Sequence, residues 1–237
     1  MKVRPDGKAV QQMFAEIAPR YDFLNHFLSV SIDRRWRKIA VAEAGESLRG
    51  KPSPICLDLC SGTGDLAIEL NRGLGVHVVA SDFCHPMLIR GLEKVRSSRK
   101  DDLIPVIEAD SLVLPFPDAT FDVVTVAFGL RNLEDAELGL SEMRRVLKPG
   151  GKAIVLEFSR PVVPVFRQIF EFYFQHILPH LGALISGQNT AYRYLPTSVR
   201  RFPAQRELLG IMESVGFKDA GYRNLSGGIA ALHWGIK

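Results

Sequence analysis

Residues 55–67, ICLDLCSGTGDLA, constrain the fold more than any other stretch of the chain. A short apolar run at 55–59, interrupted by Asp58, gives way to a turn at 60–64. Leu66, Ala67, Ile68 and Leu70 then fall on one helical face. The pattern predicts a buried strand, a glycine turn and a helix N-terminus. Gly62 and Gly64 permit backbone conformations and close approaches that a Cβ would block. A ligand can therefore lie against the backbone beside the first N–H groups of the helix, an arrangement suited to a nucleotide-like cofactor.

The flanking charges choose between cofactors. Gly62 to Ala67 satisfy G-x-G-x-x-G/A, which admits a dinucleotide. Asp58 and Asp65 flank the turn, and both would repel a pyrophosphate. S-adenosylmethionine carries a sulfonium and an ammonium instead, and both tolerate neighbouring carboxylates. The turn D-x-C-x-G-x-G resembles motif I of class I methyltransferases, with Cys60 where many members carry a first glycine.

The later strands bring further acids in series. Residues 76–81, VHVVAS, form a strand that ends at Asp82 and Phe83. An acid placed there can accept hydrogen bonds from both ribose hydroxyls, a role compatible with capping the helix expected at 86–94. A strand over 103–108 leads to Asp110 and Ser111, which suit the adenine amino group and ring edge. A fourth strand, 121–128, contains Ala127 and exits through Gly129, Leu130, Arg131 and Asn132. Arg131 is thereby a cation at a strand end, where ligand chemistry gathers in a parallel sheet. Residues 136–147 form a helix stopped by KPGG, and 152–158 a fifth strand in which Glu157 is either a structural acid or a pocket wall. A helix at 205–215 and two strands, 219–225 and 229–236, about a Ser-Gly-Gly turn complete the chain. The expected fold is α/β: a Rossmann-like, seven-stranded, mostly parallel methyltransferase sheet with an antiparallel C-terminal hairpin.

Two flanking regions complete a single domain over 1–237. Residues 1–12 are polar and expected to be mobile. Residues 14–28 and 33–44 carry apolar residues at helical spacing, broken at Pro19. With them, 1–50 reads as an N-terminal helical lid that brings Tyr21 or Asn25 to the ligand. Residues 160–205 read as a helical insertion lining a substrate cleft. Its core, 166–185, is dense in aromatic and aliphatic side chains, yet Arg167, Glu171 and Gln175 make it amphipathic. His176 and His180 stand four apart with Pro179 between them and no third ligand, so no metal is expected.

Composition narrows the class. With 237 residues, 46% of them hydrophobic, the chain can bury a full core without disulfides. Its three cysteines fit reduced thiols in the cytoplasm. The net charge of +4 suits an anionic membrane surface as well as weak nucleic-acid contact and decides neither, though no basic patch interleaved with aromatics points to nucleic acid. The N-terminus has no apolar signal core, and no run is long enough to span a bilayer.

From about residue 14 onward the chain resembles the C-methyltransferases of ubiquinone and menaquinone biosynthesis, the UbiE/MenG type. The resemblance rests on YDFLN, SIDRRWR, LDLCSGTGDLA, LPFPDATFDVVTVAFGLRNL, RVLKPGGKAIVLEFSRP and AYRYLPTSVRRFP. It implies methyl transfer from S-adenosylmethionine to a ring carbon of a polyprenylated hydroquinone, either demethylmenaquinol or 2-methoxy-6-polyprenyl-1,4-benzoquinol. It places Thr63, Asp82, Asp110 and Ser111 on cofactor positions, beside Asp58, Gly62, Gly64 and Phe83. Members often carry Ser where this chain has Ala127, which leaves the backbone there to line the cofactor. Arg131 is then the cation favouring a phenolate, Tyr21 the group that positions the ring hydroxyl, and Asn132 their neighbour. A cytoplasmic enzyme, peripheral on the inner face of the membrane, follows; a homodimer or a quinone-biosynthesis complex remains open. The rivals are a methyltransferase for another lipophilic or phenolic acceptor, an NAD-dependent dehydrogenase and a non-catalytic scaffold.

Overall fold

The computed structural model describes residues 6–22, 31–98, 103–163, 168 and 190–237. Seven strands form one sheet in the order β3-β2-β1-β4-β5-β7-β6. They are β1 (Ile55–Leu59), β2 (His77–Asp82), β3 (Val106–Glu108), β4 (Phe121–Ala127), β5 (Leu147–Phe158), β6 (Lys218–Leu225) and β7 (Ala230–Ile236). Neighbours from β3 through β5 pair in parallel, and β7 is antiparallel to both β5 and β6. The chain runs outward from β1 in one direction and returns to start again at β4 in the other. The crevice between the carboxyl ends of β1 and β4 is the switch point where ligands bind in such sheets.

Strand alternation divides the core between two faces. On one face Cys56, Val78, Val123 and Ile154 pack under α2 (Ile32–Leu48), α3 (Asp65–Leu74) and α4 (His85–Ser97). On the other, Leu57, Val124 and Val155 pack under α5 (Ala136–Val146) and α7 (Gln205–Val215). Leu57 is wholly buried, so truncation to Ala is expected to cost about 2–5 kcal/mol. Two further helices, α1 (Gly7–Ile17) and α6 (Thr190–Arg201), lie near the carboxyl ends of the strands.

Several boundaries differ from the sequence reading. The polar N-terminus is helical from Gly7, because the Asp6 side chain accepts from the Lys8 and Ala9 N–H groups and caps α1. Pro19 ends α1 as expected, and Ala18–Arg20 continue as one 3-10 turn. β3 is shorter than predicted and begins after Pro105, although Leu103 and Pro105 still accept from Val78 and Ala80. The KPGG segment lies within β5, which begins at Leu147, so α5 ends at Val146 before reaching it. A bulge with Gly150 at φ +73° then carries pairing with β4 from Leu147 to Lys152. The C-terminal hairpin forms about Ser226–Gly228. Asn25, His176, His180 and the run 166–185, apart from Gln168, lie outside the described residues.

The SIDRRWR motif fastens α2 to the sheet. Trp36 packs against Phe128 and Phe158 and donates from Nε1 to Ser226 Oγ at 3.0 Å. Arg37, buried, reaches Asp33 at 2.8 Å, Asp65 at 3.3 Å and Glu69 at 3.5 Å. Removing either side of such a buried group leaves an uncompensated charge.

Candidate active site

The turn after β1 takes three left-handed residues, Cys60 (φ +49°), Gly62 (φ +56°) and Gly64 (φ +79°). It is held from beneath by β2. Ser61 N–H donates to Ser81 O at 3.0 Å, and Asp82 Oδ2 accepts from Gly62 N–H at 2.8 Å. Asp82 Oδ1 accepts from Cys84 N–H at 2.9 Å, so the carboxylate joins the glycine turn to the start of α4. Burial raises its pKa, and these N–H groups oppose the rise. The N-cap of α4 is Cys84 itself, so Asp82 supports that helix from two residues before it.

Asp58 lies under the same turn. It is buried, and Thr125 Oγ1 donates to its Oδ1 at 2.7 Å. Its Oδ2 has no partner among the described residues. Burial pushes its pKa up to about 7; the Thr125 hydrogen bond and the nearby Ala67 N–H resist this, and the nearby Asp82 charge adds to it. A buried carboxylate oxygen without a donor, in a pair with a second buried carboxylate, is electrostatically incomplete. A cationic cofactor fits such a site and a pyrophosphate does not. Asp65 carries none of that argument, contrary to the sequence reading. It is paired with Arg37 and with Lys94, which neutralise it.

Thr63 is also engaged. Its Oγ1 donates to Asp22 Oδ1 at 2.5 Å and accepts from Lys94 Nζ at 3.1 Å, while Lys94 reaches Asp22 at 2.8 Å. The YD pair of the N-terminal motif thus lies on the glycine turn. Tyr21 stands over Gly62, where an added Cβ would lie 3.8 Å from Tyr21 Cε1, and packs edge-on against Phe14.

Beyond β2 and β3 a cavity of about 200 Å³ is lined by Phe83, Asp110, Ser111 and Asn132, with Gly7 and Gln11 on its α1 side. Asp110 is exposed, with Oδ1 accepting from Leu112 N–H at 2.9 Å; Ser111 is buried. Helix α1 crosses this opening and is tied on both banks. Gln11 Nε2 donates to Phe83 O at 2.7 Å, and Gly7 N–H to Glu134 Oε1 at 2.8 Å. Ala127 ends β4, paired with Leu156 on β5.

At the exit of β4, Phe128 takes a left-handed φ of +58°. Its carbonyl accepts from Arg131 Nη1 and, at 3.3 Å, from Asn132 Nδ2. Arg131 is buried over the Phe158 ring and paired with Glu157, whose oxygens lie 3.0 and 3.2 Å from Nη1. Glu157 also accepts from the N–H groups of Arg131 at 3.2 Å and Phe158 at 2.9 Å. Of its two sequence readings, the structural acid is the one observed. Tyr194, from α6, donates to Asn132 Oδ1 at 3.1 Å. Burial raises the Tyr194 pKa and keeps the hydroxyl a donor. The sequence offered Glu157 as a possible pocket wall and set the tyrosines of 191–203 near the cleft, but did not pair Glu157 with Arg131 or Tyr194 with Asn132. The signal that could have found Glu157 is an acid in an apolar strand that needs a buried partner.

Residues 1–237 match the ubiE/COQ5 methyltransferase family. The chain belongs to that family. It is 47% identical to the ubiquinone/menaquinone biosynthesis C-methyltransferase UbiE of Geobacter sulfurreducens, over 98% of this chain and 89% of that one. It is 49% identical to the demethylmenaquinone methyltransferase of Deinococcus radiodurans, over 98% and 93%. A crystal structure of a SAM-dependent methyltransferase from Aquifex aeolicus superposes with a TM-score of 0.60 at 18% identity, covering 83% and 88%, a likeness of fold alone. This ubiE/COQ5 family member is an S-adenosylmethionine-dependent C-methyltransferase.

Proposed function

We propose that the chain methylates a ring carbon of a polyprenylated hydroquinone in menaquinone or ubiquinone biosynthesis, with Asp58, Asp82, Asp110 and Ser111 holding the cofactor and Arg131, Asn132 and Tyr21 facing the acceptor. The observation that carries this reading is the convergence of buried acids and a held arginine at the carboxyl ends of β1, β2 and β4, around one switch-point crevice.

S-adenosylmethionine supplies a methyl group on a cationic sulfonium. Asp82 would take the ribose hydroxyls, Asp110 and Ser111 the adenine, and the glycine turn the close backbone approach, with Phe83 and the Ala127 backbone as walls. Asp58 would balance the cofactor's positive charge. An aromatic carbon becomes a good nucleophile when the adjacent hydroxyl loses its proton, and phenols titrate near pH 10 with tyrosine as the guide. Hydrogen bonds from a guanidinium favour the phenolate. Arg131 supplies them in this reading, with Asn132 and Tyr21 orienting the ring. In this reading helices α1 and α6 act as lid and cleft wall that exclude water, so opposite charges meet in a dry site. The aliphatic and aromatic run at 166–185 would take the prenyl tail and bring the enzyme to the inner face of the membrane. Among the described residues no helix is long and apolar enough to cross one.

Mass spectrometry of quinones from a strain lacking this gene tests the proposal. A quinone one methyl group short should accumulate and disappear on restoring the gene. An unchanged quinone profile would sink it.

A further inference from the structure

We propose that Glu157 is a positioning residue for methyl transfer: it fixes Arg131 from beneath and tempers its charge, so that the acceptor meets a rigid hydrogen-bonding pair. The inference rests on the reading of Arg131 as the acceptor-facing group.

Arg131 is nearly inaccessible and Glu157 more so, with side chains 7% and 2% exposed. Both carboxylate oxygens of Glu157 are occupied, by Arg131 Nη1, the Arg131 backbone N–H and the Phe158 N–H. The backbone contact matters as much as the ionic one. It ties the 3-10 turn Leu130–Asn132 to β5, so the same acid sets the position of the chain and of the side chain. Phe128 O closes the arrangement from β4. Arg131 Nε is buried with no partner among the described residues, a donor left over by this geometry. Tyr194 of α6 and Cys60 of the glycine turn are the other described titratable groups whose charge couples to the pair. A free guanidinium beside a phenol would lower its pKa by about 1–3 units; one paired with a carboxylate does so much less.

The variant Glu157→Gln keeps the shape and removes the charge. With labelled S-adenosylmethionine and a demethylmenaquinol, it should lower kcat at least several-fold and leave the affinity for S-adenosylhomocysteine within about twofold. The rising limb of its pH–rate profile should move about one unit to lower pH, because Arg131 is no longer balanced. A limb at the wild-type position, or cofactor affinity lost in step with rate, overturns the proposal. Glu157→Asp keeps the charge and withdraws it by one methylene. It should lower kcat with the limb unmoved, and wild-type kcat in this variant also overturns the proposal. Wild-type protein that transfers no methyl group would defeat the functional reading instead. The pairing is then read from exchange of the Arg131 Nη protons, slow in the wild type and fast in Glu157→Gln. Equal exchange overturns the proposal independently of turnover.

Discussion

Cys60 and Gly129 fit together as a pair across the mouth of the sheet. A Cβ added at Gly129 would stand 2.2 Å from Cys60 Cβ and 3.0 Å from its Sγ. Cys60 itself occupies the left-handed region at φ +49°, where an L residue is strained by about 1–2 kcal/mol. Cys60 is therefore accommodated by a glycine at the next strand exit. Gly129→Ala should destabilise the protein by about 1–3 kcal/mol in urea unfolding. In a Cys60→Gly background most of that loss should vanish. Additive effects in the double-mutant cycle would show that the two positions do not share space.

Arg131 is expected to be needed for the reaction and for the fold of its corner. Arg131→Ala leaves Glu157 buried without its cation, at a cost of about 3–5 kcal/mol. Arg131→Lys is the cleaner variant, since it keeps the charge and loses the planar fork. Its methyl transfer should drop by an order of magnitude or more with cofactor affinity nearly intact. Parallel loss of both in a calorimetric titration would reassign Arg131 to the cofactor.

Asp82 should act chiefly on the cofactor. Asp82→Ala removes the acceptor of the Gly62 and Cys84 N–H groups as well as the ribose partner. The dissociation constant for S-adenosylmethionine should rise by about a hundredfold, equivalent to roughly 2.7 kcal/mol. An unchanged constant would contradict the ribose assignment.

The raised pKa of Asp58 has a signed consequence. A carboxyl held near 7 in the folded protein and near 4 when unfolded binds its proton more tightly when folded. Its contribution to stability is therefore full below about pH 4 and is lost as pH rises towards 7. A cationic ligand favours the ionised form, so affinity for S-adenosylmethionine should rise with pH up to about 7, by at most about tenfold per unit. Asp58→Asn should bind weakly and show a flatter dependence between pH 5.5 and pH 8. The same slope in both proteins would remove Asp58 from the charge balance.

Much of the fold was legible because buried parallel strands and amphipathic helices leave periodic marks in the chain. All seven strands were placed, although β5 starts five residues earlier than read; Cys56 against Leu57, or Val123 against Val124, divide between the two faces as alternation requires. Helix α1 was read too short, because the Asp6 cap is a local hydrogen bond in a stretch whose polar side chains masked the helix. Asp65 misled for a different reason. Its position beside the glycines suggested a charge acting on the cofactor, and only its contacts with Arg37 and Lys94, from helices distant in sequence, show where that charge goes.

The order of residues was enough to establish the strand–turn–helix cradle, the acids at successive strand ends and the family to which they belong, since each depends on neighbours or on fixed spacing. Folding alone settled which charges meet. Glu157 lies 26 positions from Arg131, and Tyr194 lies 62 from Asn132. Pairings of that kind are set by strand order and helix packing in three dimensions, and Coulomb and hydrogen-bond energies act over ångströms whatever the separation along the chain.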